Sequence, residues 1–328
     1  MKKRLILSGV VLALILTLSA GALLGGTDTA EAPPSVGLSV EPGGMLIQGV
    51  EPGQVYDLEE KTGILLTIHN RDRSDHTYML ATFRPSEVGN RRLPTGYSDI
   101  PDPAWFSFQH SEVRVPANSS GQVRMHLEIP DDDRYRNQHW SVSVGVAGKP
   151  EPGETLTLAV YPRFEIETAS APRAELSLRP AGGIGLCSSV VTLNDAGPGR
   201  AAVGEFVICN NDGKTHSYHL SVLAQGDTGE GKRLFPSGGS GWMPGSDWVS
   251  LPRPRLRHDT RWSVKAWPTL WLARQSHVPV PIEVNVPAGM AVPDGGWEAI
   301  VFVERDDGAV GFVRVRVPNA GSGDEGAA

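Results

Sequence analysis

Apolar and polar residues alternate over short runs along most of this chain. In the run Gly121–Ile129, Val123, Met125, Leu127 and Ile129 fall on one face, and Val280, Ile282, Val284 and Val286 do the same later. A period of two puts successive side chains on opposite faces of a strand. Other runs of this kind in the first half are Val36–Val40, Gly63–Asn70, Thr77–Phe83, Glu112–Val115, His139–Ala147 and Leu156–Tyr161. In the second half they are Ala174–Leu178, Val203–Asn210, Ser217–Leu223, Trp297–Glu304 and Val310–Val317. Pro and Gly fall between the runs, and nothing from Gly44 to Pro318 has a helical period of useful length. Roughly seven short strands in about 130 residues, occurring twice, predict an all-β protein of two tandem immunoglobulin-like antiparallel β-sandwiches.

The two halves are copies of one another. Ile64–Phe83 aligns without a gap against Gly204–Leu223, with Asn70, Asp72, His76, Tyr78 and Leu80 matching Asn210, Asp212, His216, Tyr218 and Leu220. Trp105 then matches Trp248, Ile129-Pro130 matches Val286-Pro287, and Trp140 matches Trp297. Recurrence of strand and turn residues in the same order is the mark of a repeated architecture. It assigns the recurring His and Trp residues to the fold rather than to chemistry. Each polar turn, Arg71–Asp75 and Asn211–Thr215, joins two of the strands and reads as a hairpin.

The expected division is a leader with linker over 1–32, a first sandwich over 33–169, a second over 170–318 and a disordered tail over 319–328. Lys2, Lys3 and Arg4 precede an uncharged stretch, Leu5–Gly26, which has the layout of an export signal. Small-residue cleavage sites fit at Ala20-Gly21-Ala22 and Ala30-Glu31-Ala32, yet the stretch is also nearly long enough to span a bilayer. A cleaved signal and an uncleaved N-terminal anchor both fit. In either case the sandwiches are extracytoplasmic, and the membrane is met only through residues 5–26.

A net charge of −7 over 328 residues leaves no electrostatic footprint for nucleic acid. Arg253, Arg255 and Arg257 form one local basic stripe. It lies in an insert of the second copy, Leu251–Trp271, which also carries Trp262, Trp267 and Trp271 without counterparts in the first copy. Aromatic and Arg residues are the usual anchors of protein interfaces. These six residues are therefore the candidate partner-binding set; the other reading is that the Trp residues cap the end of the sandwich or pack between the two domains, and that the Arg stripe is a solvated edge strand or loop. Cys187 and Cys209 are the two cysteines; in an oxidising compartment they are a candidate disulfide between neighbouring strands.

Catalytic signatures are weak. Gly226–Lys232 has phosphate-loop spacing, but Arg233 stands where that motif needs Ser or Thr, and Asp227 and Glu230 would repel phosphate. Neither Cys-x-x-Cys nor His-Glu-x-x-His spacing occurs, and Asp131–Asp133 lacks the alternating ligands of a calcium loop. No Gly-x-Ser-x-Gly elbow is present. The expectation is a non-enzymatic protein with no catalytic, metal or cofactor residues.

Pro52-Gly53-Gln54 near a first strand, the strand ending in Asn70, the Trp105–Phe108 block and Ile129-Pro130 before a last apolar strand together resemble the extracytoplasmic immunoglobulin-like modules associated with WxL-type cell-surface proteins. That resemblance implies binding to a cell-surface protein or a cell-wall glycan, in adhesion, scaffolding or assembly. The C-terminal membrane anchor of that family is not matched here. Two alternatives stand beside it: a periplasmic pilus-type chaperone acting by strand addition, and an exported hydrolase.

Overall fold

The structure is a computed structural model and describes residues 37–89, 93–150, 157–171, 184–223, 234, 236, 240–255 and 261–319. The leader 1–32, the run Ala174–Leu178, the glycine-rich segment 226–232, Arg257 and the tail beyond Asn319 lie outside the described residues.

The chain forms two tandem immunoglobulin-like β-sandwiches. The first is built from β1 (Leu38–Glu41), β2 (Gly44–Val50), β3 (Val55–Asp57), β4 (Leu66–Asn70), β5 (His76–Phe83) and β6 (Ser98–Asp99). It continues with β7 (Phe106–Phe108), β8 (Glu112–Val115), β9 (Ser119–Val123), β10 (Met125–Glu128), β11 (His139–Gly148), β12 (Ala159–Val160) and β13 (Arg163–Thr168). The second contains β14 (Gly185–Leu186), β15 (Val190–Thr192), β16 (Ala201–Asn210), β17 (His216–Leu223), β18 (Gly241–Trp242) and β19 (Val249–Ser250). It ends with β20 (Trp262–Ala266), β21 (Thr269–Leu272), β22 (Ser276–Asn285), β23 (Trp297–Arg305) and β24 (Val310–Val317).

One layer of the first sandwich is the sheet β2-β13-β11-β5-β8, with β6 and β12 added along β11. The facing layer is β1-β4-β9 together with β3-β10-β7. The second sandwich repeats the plan as β15-β24-β23-β17-β21-β20, with β18 along β23, against β14-β16-β22-β19. Most pairings are antiparallel, but β2 runs parallel to β13, β6 to β11, β15 to β24 and β18 to β23. Each sandwich encloses its own apolar core. Leu66, Ile68, Leu127, Val144 and Phe164 are fully buried in the first, and Ile208, Val280, Val301, Val303 and Val315 in the second. Burying one such side chain contributes roughly 1.5–3 kcal/mol.

The sequence has no helical period of useful length, yet the described residues contain one short α-helix. In α1 (Leu58–Thr62) the Asp57 side chain accepts from the N–H groups of Glu59 and Glu60, and Leu58 is buried. Gly63, at φ +71°, turns the chain out of the helix and donates to the Glu59 carbonyl at 2.7 Å. Only a glycine adopts that conformation without strain. The helix displaces the start of the next strand from Gly63 to Leu66. Five residues are too few to show a helical period, so the cap is the only signal. No helix among the described residues is long and apolar enough to cross a membrane.

Among the described residues, three long strands are buried on both faces. In β11, Trp140, Val142, Val144 and Val146 point into the first core, and His139, Ser141 and Ser143 on the opposite face are buried as well. In β23 and β24, Ala299, Val301, Val303, Val313 and Val315 face the second core, while Glu298, Ile300, Phe302, Phe312 and Arg314 are buried on the other side. The cause is that the β11 sheet and the β24 sheet pack against each other.

Candidate functional site

The recurring polar residues serve the hairpin turns. The Asn70 side-chain amide donates to the carbonyls of Ser74, Val115 and Pro116, and its oxygen accepts from the Asp72 N–H. Asn210 does the same with Lys214, Leu272, Ala273 and Asp212. Asp72 then holds His76 at 3.1 Å, and Asp212 holds His216 at 3.0 Å. Tyr78 and Tyr218, two residues on, are in the cores. The recurring Trp residues pair at one end of each sandwich, with ring centres 5.6 Å apart for Trp105–Trp140 and 5.5 Å for Trp248–Trp297. An amide that donates to carbonyls while its oxygen accepts a backbone N–H accounts for the Asn found at this position in both copies.

The largest concentration of buried charge lies between the sandwiches. Glu167, on β13, accepts from Gln48 at 2.7 Å, from the Tyr97 hydroxyl at 2.5 Å, and from Nε and Nη2 of Arg314 at 2.6 Å each. Four donors fill the acceptor capacity of one carboxylate. Arg314, on β24, is fully buried and also donates to Glu298, which in turn accepts from Arg316 at 2.9 Å. Burial alone would raise the Glu167 carboxyl, but the bonds and charge of Arg314 outweigh it and hold it at about 2. Burial pushes the Tyr97 hydroxyl upward, and the adjacent Glu167 charge adds to the effect.

An apolar patch surrounds this ion cluster. Tyr97 packs with Leu223, Leu234, Ile300, Phe302 and Phe312, and Leu46 packs against them. The His139 ring is stacked on Phe312 at 3.8 Å with 5° between planes, and its burial lowers it to about 4. Gly96, at φ +85°, lets the Phe312 ring approach the backbone; a Cβ there would collide with it. Asn137 ties the connecting segment, donating to Ala171 and accepting from Ser189 N–H at 3.0 Å each. Beside the cluster a cleft of about 490 Å³ opens between the sandwiches; its polar lining includes Gln48, Glu51, Glu205, Ser170 and Arg316.

None of these interface residues was singled out by the sequence. A signal was nonetheless present: Ile300, Phe302 and Phe312 are large apolar residues on the face that alternation assigns to solvent, with Arg314 between apolar neighbours on the same strand. A strand apolar on both faces reports a second covering layer.

The candidate partner-binding residues are dispersed. Trp262, on β20, is buried in the second core, and Trp267 is half-buried, donating its indole N–H to the Leu251 carbonyl at 2.6 Å. Trp271, on β21, is 45% exposed and faces outward. Arg253 and Arg255 are exposed on either side of the buried Pro254. The insert is thus partly a strand at the sheet edge rather than a loop throughout. Cys187 and Cys209 are both buried, with sulfur atoms 2.8 Å apart. Among the described residues, no group of three or more His, Cys, Asp or Glu side chains is placed to hold a metal ion.

No protein-family model matches the chain, and no curated protein matches it. Among solved structures, the chain is similar to the periplasmic chaperone SfaE, at 9% identity and TM-score 0.28, covering 86% of this chain and 100% of that one. It is similar to the E. coli chaperone DraB, at 11% identity and TM-score 0.29, covering 86% and 98%. It is also similar to a Porphyromonas gingivalis W83 protein of unknown function, at 11% identity and TM-score 0.31, covering 86% and 99%. At that distance these likenesses carry nothing about binding.

Proposed function

We propose that this protein is a non-enzymatic, extracytoplasmic binding protein that acts in cell-surface adhesion, scaffolding or assembly. The observation that supports this reading is the buried Glu167–Arg314–Glu298 cluster with its apolar surround. Such a cluster adds little net stability against an apolar alternative, but it disfavours any other docking of the two sandwiches. A partner would therefore meet surfaces held at a fixed spacing. The turn residues Asn70, Asp72, Asn210 and Asp212 are engaged within the fold, which leaves outer surfaces and sheet edges for binding. The charged start and apolar run of residues 2–26 support export. The partner is a cell-surface protein or a cell-wall glycan, as the resemblance to WxL-associated modules implies.

A second reading, a periplasmic pilus-type chaperone, is favoured by one observation: among the described residues, no strand covers the sheet edge at β8, an edge of the kind used in strand addition. Both readings are tested by affinity capture from the native cell envelope with the full-length tagged chain. A parallel capture uses a variant carrying Arg253→Glu, Arg255→Glu and Trp271→Ala, all at exposed positions. One surface protein or glycan captured by the unaltered chain and lost in the variant is the expected result. Pilus-like subunits in the eluate would replace the first reading with the second. An empty eluate from both chains would refute the proposal.

A further inference from the structure

The two sandwiches treat the same sheet edge differently. β8 and β21 are counterparts: Val115 pairs with His76 as Leu272 pairs with His216. In the second sandwich β20 lies antiparallel along β21, with Ser263 opposite Trp271 and the Ala273 N–H bonded to the Arg261 carbonyl at 2.9 Å. In the first sandwich, among the described residues, no strand lies along the outer side of β8. The Leu80 N–H donates to the Ser111 carbonyl, which fixes the phase of the ladder between β5 and β8. Val113 and Val115 therefore turn their backbone groups toward β5, and Glu112 and Arg114 turn theirs outward. The edge that the second copy closes with its own insert is open in the first.

We propose that β8 pairs antiparallel with β8 of a second copy of this chain, joining two first sandwiches through one continuous sheet about a two-fold axis. The sequence of the strand, Glu112-Val113-Arg114-Val115, selects this occupant. With Val113 opposite Val113 of the second copy, Glu112 stands opposite Arg114 and Arg114 opposite Glu112. Both are hydrogen-bonding positions, so the outward N–H and C=O groups of each satisfy one another. Opposite charges meet twice on the outer face, and the two Val113 side chains meet on the core face, where Val113 is already packed. Any other strand would have to supply the mirrored charge pattern; a second copy carries it by symmetry. Glu112 is held by Lys149 at 3.0 Å and Arg114 by Asp75 at 2.9 Å within one chain. These pairs are exposed and rearrange at little cost.

The test is sedimentation of the full chain over a range of concentrations, alone and as Glu112→Arg, Arg114→Glu and the double exchange. The unaltered chain is expected to shift from monomer to dimer as concentration rises. Each single exchange sets like charges opposite each other twice and should abolish the shift. The double exchange restores opposite charges and should restore it, which separates pairing from misfolding. A chain that stays monomeric at every concentration overturns the inference, as does a dimer untouched by the single exchanges. So does a double exchange that, with an unchanged melting transition, stays monomeric. The inference is independent of the first reading of function, so either can fail alone; it competes for β8 only with strand addition to a pilus-like subunit.

Discussion

Acidification from pH 8 to pH 5 should loosen the contact between the two sandwiches through one residue, His139. Its ring is buried and stacked on Phe312, and burial lowers it from the usual 6.5 to about 4. In the unfolded chain His139 takes up a proton below about pH 6.5, while the folded chain resists until about pH 4. Between those values the unfolded state binds more protons, so stability falls as pH falls. The favourable difference is complete above 6.5 and lost on approaching 4. Integrated from pH 8 to pH 5, it amounts to about 2 kcal/mol, a large part of a typical total of about 5–15 kcal/mol. Glu167, held at about 2 instead of the usual 4.5, acts in the same direction but in a lower window, from about pH 4.5 down to 2. The step from pH 8 to pH 5 therefore separates the His139 contribution from that of Glu167. Urea unfolding at the two pH values measures it, and His139→Phe, which keeps an aromatic ring against Phe312, is the comparison. The variant should lose about 2 kcal/mol less than the unaltered chain over this step. Equal losses in both proteins would refute the reasoning.

Four further outcomes are expected. Arg314→Met leaves the Glu167 charge buried without its main partner and should cost about 3–5 kcal/mol by chemical denaturation. Asn70→Ala and Asn210→Ala each remove a buried donor shared among three carbonyls, and thermal melts should report a loss of about 1–3 kcal/mol for either one. Trp262→Ala should cost about 3–5 kcal/mol because it empties part of the second core, whereas Trp271→Ala should stay within about 0.5 kcal/mol. Peptide mapping of the protein prepared under oxidising conditions, without reductant, should recover Cys187 and Cys209 in one linked peptide, and reduction should lower stability by about 3 kcal/mol.

The strands were legible because each sandwich buries one face of every strand, and alternation records that directly. Val123, Met125, Leu127 and Ile129 were read as one face and are all buried. The roles of Asn70 and Asn210 were visible only as recurrence; each serves one carbonyl four residues on and two from a segment distant in sequence. Trp262 shows the limit of comparing copies. Having no counterpart, it looked available for a partner, but it sits on an extra strand that extends the core. The Glu167–Arg314 contact spans 147 positions, and its signal was an apolar outer face that can be interpreted only once a second sheet is known to cover it.

The parallel seam in each sandwich, β2 with β13 and β15 with β24, governs how the molecule would respond to tension. After β1 peels away, a pull on the two ends of the first sandwich acts along β2 and β13 in opposite directions, from Gly44–Val50 against Arg163–Thr168. The ladder is then loaded in shear, and its bonds must rupture together rather than one at a time. The matching seam of the second sandwich is shorter, Val190–Thr192 against Arg314–Arg316. It should slip first, and because Arg314 belongs to it, that slip would also release the grip on Glu167. Under load the chain would lengthen in stages, giving way in the second sandwich and at the junction while the first still holds.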